Sequence, residues 1–226
     1  MSKGYLLKKV ANIVGQNAGM AIADSVSLGM ASALRNSANE IVAYTKLTNE
    51  ALYYMQVRTF LETADLSQEE VNQFFENNPD NQRLGIEIFK ILESTLLEKQ
   101  AEYMAKAFKR YVHGKITSEK LYQYIHVIEQ LNRHILTLIE QDLENLEEYY
   151  TQHGLTRSFD ELGIMNFIHT NILRDQALQV IGFISEEPKE QSITYSGVSK
   201  PEITYKRTGL YLDFCRDIIE EEECTS

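Results

Sequence analysis

The chain contains no tryptophan, 3 prolines and 2 cysteines among 226 residues, and each shortage excludes a class of architecture. Proline and glycine punctuate turn-rich folds, so a chain with 3 prolines and 11 glycines favours long helices over many short strands. The cysteines, Cys215 and Cys224, fall close together near the C-terminal end without CxxC spacing. That pattern excludes a disulfide framework and a cysteine-held zinc site, and reads as free thiols in a reducing, cytoplasmic setting.

Long apolar runs are missing as well. Residues 10 to 34 hold one charge, Asp24, but Asn12, Gln16 and Asn17 also interrupt them, so they fit neither a secretory leader nor a membrane span. Concentrated positive charge is absent too. The formal net charge is −11; residues 1 to 45 hold 4 basic and 2 acidic side chains, residues 46 to 150 hold 11 and 18, and residues 151 to 226 hold 7 and 13. Nucleic-acid binding draws its affinity from released phosphate counterions and needs a basic surface that no segment supplies by composition.

Reaction motifs are lacking in the same way. There is no G-x-S-x-G nucleophile elbow and no glycine-rich phosphate loop, and acidic neighbours dull both thiols as nucleophiles. Di-iron bundles need Glu-x-x-His pairs on facing helices; the nearest spacing here is the reversed His126 to Glu129, with His134 and Glu140 further along. One helix cannot supply both half-sites. No catalytic residue, metal or cofactor is therefore expected, and these histidines read as surface or core-edge residues.

What is present is small residues in register near the start. Ala11, Gly15, Gly19 and Ala23 recur at four-residue steps, and Ser25, Gly29 and Ala33 continue on a shifted stripe. Such spacing lets helix backbones approach closely, and glycine in a helix costs about 1 kcal/mol relative to alanine, so the stripe needs a packing partner. Ala11, Gly15, Gly19, Ala23, Gly29 and Ala33 are the expected self-association surface of a homo-oligomer. A reversible contact of residues 1 to 40 with a membrane surface, through Lys3, Lys8 and Lys9, is the alternative.

From residue 40 the apolar period is helical. Ser67 with Glu70 spells a capping box, Asp80 is placed to cap the next helix, Ser94 and Thr95 mark a break, and Gly114 a stop. Thr117 or Ser118 then opens what reads as one long central helix through Leu121, Ile125, Ile128, Leu131, Ile135, Leu138, Ile139, Leu143 and Leu146, with Glu140, Glu144, Glu147 and Glu148 on its wet face. Gly154 marks a boundary. Beyond it two short helices are expected, parted near Gly163, then strands at 192–195 and 202–205 around a Ser196-Gly197 turn, then a last helix.

The fold class is thus mainly α: a helical bundle with a small C-terminal winged-helix-like module containing one β-hairpin. The expected domains are residues 1–45 (small-residue helical segment), 46–153 (bundle body) and 154–226 (winged-helix-like tail with an acidic end). In such a tail the recognition helix spans about residues 164 to 180. His169, Asn171, Arg174 and Gln176, with Lys200, Lys206 and Arg207 around the wing, are the candidate contacts to nucleic acid or a protein partner. The acidic balance weighs against DNA and favours protein contact.

The stretch FLETADLSQEEVNQFFENNPDNQRLGIEIFKILESTLLEKQAEYMAKAFKRYVHGKIT resembles a broad group of uncharacterised bacterial and phage-associated helical proteins, in its capped helix, R-L-G segment and A-K-A-F-x-x-Y-x-x-G-K-I-like helix end. The tail, ALQVIGFIS through ITYKRTGLYLDF, is similar to the winged-helix-like ending of such proteins. Together these cover about half the chain. The resemblance implies a fold and an association with phage defence, and brings no active site. The expected function is a non-enzymatic interaction or regulatory protein that self-associates and binds a protein partner, with a membrane-active effector or a winged-helix DNA-binding regulator as alternatives.

Overall fold

The computed structural model describes residues 5, 6, 8–10, 40–76, 79–155, 161–188, 193–194, 197–198 and 203–220. The small-residue stripe from Ala11 to Ala33, expected to drive self-association, and Lys200 of the expected wing lie outside them. The chain divides into two compact units, Met1–Glu129 and Gln130–Ser226. Among the described residues helices dominate both, and β structure occurs in the second alone, as a mainly α chain with a small C-terminal β module requires.

From residue 40 onward, five helices follow one another among the described residues: α1 Glu40–Ala64, α2 Gln68–Phe75, α3 Pro79–Ser94, α4 Glu98–Val112 and α5 Ser118–Gln130. Their ends are set by local chemistry. Asp65 ends α1 with φ +42°, and Ser67 opens α2 with the expected reciprocal cap: the Glu70 amide donates to Ser67 Oγ at 3.2 Å and the Ser67 amide to Glu70 Oε2 at 2.7 Å. Pro79 takes the first position of α3, where its missing N–H costs nothing, so Asp80 sits inside the first turn and does not cap it. Thr117 Oγ1 accepts from the Lys120 amide to open α5.

The core of this unit is a chain of rings. Phe60 of α1 meets Phe89 of α3 at 5.7 Å and Phe108 of α4 at 5.8 Å, and Phe108 meets Phe74 of α2 at 5.1 Å. Leu84, Ile88, Leu92, Met104, Leu121 and Ile128 fill in around them, all buried. The glycine of the R-L-G segment has a packing reason: a Cβ on Gly85 would lie 2.7 Å from the Phe75 ring. Only a bare backbone lets α3 approach α2 so closely.

The expected long helix is two helices. Leu131 and Asn132 interrupt it, and the Asn132 side chain accepts from the Ile135 amide at 3.0 Å to start α6 at Arg133–His153. The apolar period runs on in phase, with Leu131 and Ile135 both buried, so periodicity alone conceals the break. The second unit accordingly begins at Gln130 and includes α6, whereas sequence placed its start at 154. Gly154 is the left-handed residue that ends α6, at φ +63°.

After α6 come α7 Glu161–His169, α8 Gln176–Val180, β1 Ile184–Pro188, β2 Ile193–Thr194, β3 Gly197–Val198, β4 Ile203–Arg207, α9 Gly209–Phe214 and a π-helical turn Cys215–Ile219. The ladder joins β1 to β4 antiparallel, from Ile184 opposite Arg207 to Pro188 opposite Ile203, and β2 to β3 at its tip. The hairpin therefore starts at Ile184, ahead of the strand expected at 192–195, and residues 193–194 belong to the tip. Gly163 lies buried inside α7, and the helix break expected there falls at residues 170–175. Phe167, Phe183, Tyr211 and Phe214 pack ring to ring beneath the hairpin, Phe183 and Tyr211 stacked at 4.3 Å.

Candidate functional site

Asp142 stands on the buried face of α6, among Leu138, Ile139, Leu146 and Tyr150, where the helical period calls for an apolar residue. It is fully buried, and so is the Arg207 side chain that faces it from the end of β4. Arg207 Nε donates to Asp142 Oδ2 at 2.7 Å and Nη2 to Oδ1 at 2.9 Å, the two-pronged geometry that makes guanidinium–carboxylate pairs strong. Nη1 also donates to the carbonyls of Phe167 at 2.7 Å and Thr170 at 2.6 Å, and Nη2 to those of Asp142 and Asn171, both at 3.3 Å.

Arg207 thus satisfies carbonyls left over at the C-terminal end of α7, where a cation also meets the negative end of the helix dipole. It lies against the Phe167 ring as well, 5.3 Å from its centre. Burying the charges is costly, and only a complete set of hydrogen bonds offsets that cost. The same cluster pushes the Tyr211 phenol well up, through burial first and then through Cys215 and Asp142 beside it.

The clasp holds the segment between α7 and α8. Asp142 Oδ1 accepts the Leu173 amide at 2.8 Å, and Asn171, at φ +46°, donates its side-chain amide to the Asn145 carbonyl at 2.8 Å. Asp175 closes the loop by accepting from the Ala177 amide at 2.7 Å as the cap of α8. From residue 170 to residue 175 the backbone is tied from behind, while the side chains of His169, Asn171, Arg174 and Gln176 are exposed in front.

Four candidate contact residues, scattered in sequence reasoning along a continuous recognition helix, are therefore brought together at a braced loop. No recognition helix spans 164–180. Arg207 is corrected: it is a buried brace and presents nothing to a partner. Lys206 is half-exposed and donates to Glu187 at 3.0 Å, which holds the Glu187 carboxyl below its usual range with help from His169 nearby. The wing's described basic residues are thus spent or neutralised.

No family model, curated protein or solved structure matches this chain. Function has to be argued from the site itself.

Among the described residues no group of three His, Cys, Asp or Glu side chains is placed to hold a metal ion, and no helix is long and apolar enough to cross a membrane. His126, Glu129, His134 and Glu140 are all exposed. In the first unit a cleft of about 640 Å³ lies by Glu70, Asn81, Tyr111 and His113. Its polar groups engage one another: His113 Nε2 is 2.7 Å from Glu70 Oε1, Tyr111 donates to Asn81 Oδ1, and Asn81 Nδ2 donates to the Phe74 carbonyl.

The Asp142–Arg207 pair escaped sequence reasoning, which assigned the buried stripe of this helix to Leu143. The signal was present: an aspartate in phase with Leu138, Ile139 and Leu146 must either break the stripe or find a buried cation.

Proposed function

We propose that the chain is a non-enzymatic interaction protein that presents the braced loop of its second unit to a protein partner. The observation that carries this reading is the use made of the buried charge. Arg207 spends its donors on Asp142 and on loop carbonyls, so the chemistry enclosed here fixes a shape and leaves none over for a reaction. Recognition residues concentrate on loops held by a rigid scaffold, and pre-ordering a loop removes an entropy cost that binding otherwise meets.

Self-association through Ala11, Gly15, Gly19, Ala23, Gly29 and Ala33 is the second part of the reading, resting on the small-residue spacing, and a cytoplasmic place and a role in phage–bacterium conflict go with it. Contact of residues 1 to 40 with a membrane surface, and DNA binding through the tail, are the competing readings. The acidic composition and the engagement of Lys206 with Glu187 weigh against DNA.

Site-specific photo-crosslinkers at Asn171 and Gln176, compared with one at exposed Gln141 on α6, test the loop. Discrete adducts from the two loop positions that vanish in Arg207→Lys support the reading; equal yields at Gln141 overturn it. Light scattering tests self-association: a mass above 26.0 kDa for the native chain that falls to 26.0 kDa in Gly15→Leu/Gly19→Leu supports it. A monomeric native chain overturns it.

A further inference from the structure

We infer that Arg174 is the anchor of this loop, a pre-set fork for a single carboxylate carried by a protein segment of low net charge. The inference rests on the braced-loop reading and names the chemistry of its partner. Arg174 is exposed, and its guanidinium carbon stands 5.3 Å from the centre of the Tyr205 ring on β4, within the range where cation and ring attract. The backbone on either side is fixed, by the Leu173 amide on Asp142 and by Asp175 capping α8. Among the described residues no acceptor meets its N–H groups. Two other exposed arginines, Arg58 and Arg83, are engaged, with Glu62 and Glu87.

An arginine held against a ring loses less side-chain entropy on forming a two-pronged bond, and its planar donors match the two oxygens of a carboxylate. The surroundings choose the class of ligand. Tyr205 lies opposite exposed Glu186 in the ladder, so both side chains share one face, and Glu187 follows it. Those carboxylates and a net charge of −11 repel a polyanion such as DNA far more than a single carboxylate seated in the fork. Met165, 54% exposed on α7 one turn before His169, adds an apolar contact beside the loop. Arginine, tyrosine and methionine together are the side chains enriched at protein–protein contacts.

Arginine-side-chain NMR on the full chain, following each Nε–Hε resonance, tests this with a soluble Gly/Ser/Tyr copolymer bearing one Glu per chain, inorganic phosphate and a short DNA duplex as probes. The expected result is a saturable shift of the Arg174 resonance with the copolymer, while those of Arg58 and Arg83 stay still. Arg174→Lys keeps the charge and loses the fork, and should weaken copolymer binding about tenfold with an unchanged unfolding midpoint. Tyr205→Leu should weaken it as well, by releasing the guanidinium.

No shift of Arg174 with the copolymer overturns the inference, as does saturation by phosphate or DNA at lower concentration. Loop crosslinks from Asn171 and Gln176 that survive Arg174→Met also overturn it, and in that case the braced-loop reading stands without it.

Discussion

The two units solve the same problem, holding helix ends together, with different materials. In the first, rings do it: Phe60, Phe74, Phe89 and Phe108 touch across four helices, and apolar contact is indifferent to small changes of angle. In the second, a single guanidinium does it, bonding a carboxylate and four carbonyls whose directions are fixed. Apolar packing gives most of the energy of a fold, while a fully bonded buried charge specifies one arrangement. The loop that carries exposed Asn171 and Arg174 is held by the second kind of bond.

The largest expected effect breaks the charge. Arg207→Met leaves Asp142 buried without a cation and the Phe167 and Thr170 carbonyls without donors, and should cost about 3 to 5 kcal/mol. Hydrogen exchange by mass spectrometry checks it: protection should collapse over residues 170–175 and β4 while α3 and α4 keep theirs. Arg207→Lys should recover little, since an ammonium cannot span these acceptors. Arg207→Met/Asp142→Leu should be less destabilised than Arg207→Met alone, by at least about 1 kcal/mol, because no orphaned charge remains.

The matching perturbation in the first unit is Gly85→Ala. Overpacking a rigid core costs about 1 to 3 kcal/mol, and alanine's better helix propensity returns about 1 kcal/mol. The Phe75 ring cannot swing away easily, being buried and edge-on to Phe74 at 4.9 Å. Urea unfolding should therefore show a net loss of up to about 2 kcal/mol. Its loss should appear in α2 and α3 and leave the 170–175 loop untouched.

These perturbations also mark what sequence can and cannot say. The capping box at Ser67 and Glu70, the stops at Gly114 and Gly154 and the buried stripe of α5 are readable because each rests on chemistry within a turn or two of helix. The break at Asn132 was hidden because the apolar period continues across it. The loop at 170–175 was hidden because its cause lies far away: Arg207, 32 positions beyond Asp175, bonds its carbonyls. Contacts of that range leave only an indirect mark, here a charged residue in an apolar stripe, and the Arg174–Tyr205 contact leaves none.

A smaller effect comes from the capping box, which has no counterpart in the clasp because it is half-exposed. Ser67→Ala should cost about 1 kcal/mol. Hydrogen bonds from the Ser67 amide, then its hydroxyl, and then His113 hold the Glu70 carboxyl below its ordinary range. A depressed folded value means that this contribution is complete above the unfolded value of about 4.3 and is lost as pH falls through the folded one. Glu70→Gln should therefore lose less stability than the native chain on going from about pH 5 to about pH 3, as read by urea midpoints.

The smallest change sharpens the contrast most. Gln56 of α1 is 3% exposed, and its Oε1 has no hydrogen-bond partner, so the first unit also buries a polar group but without the acceptor's due bond. A polar side chain buried on these terms opposes the fold, whereas Arg207, with every prong engaged, upholds it. Gln56→Met keeps the length and flexibility of the side chain and removes the unmet acceptor, so a gain of about 0.5 kcal/mol is expected. The same kind of replacement should then carry opposite signs in the two units, stabilising at Gln56 and strongly destabilising at Arg207. A loss at Gln56 comparable to that at Arg207 would mean that burial of the polar group alone, and not completion of its bonds, decides the outcome.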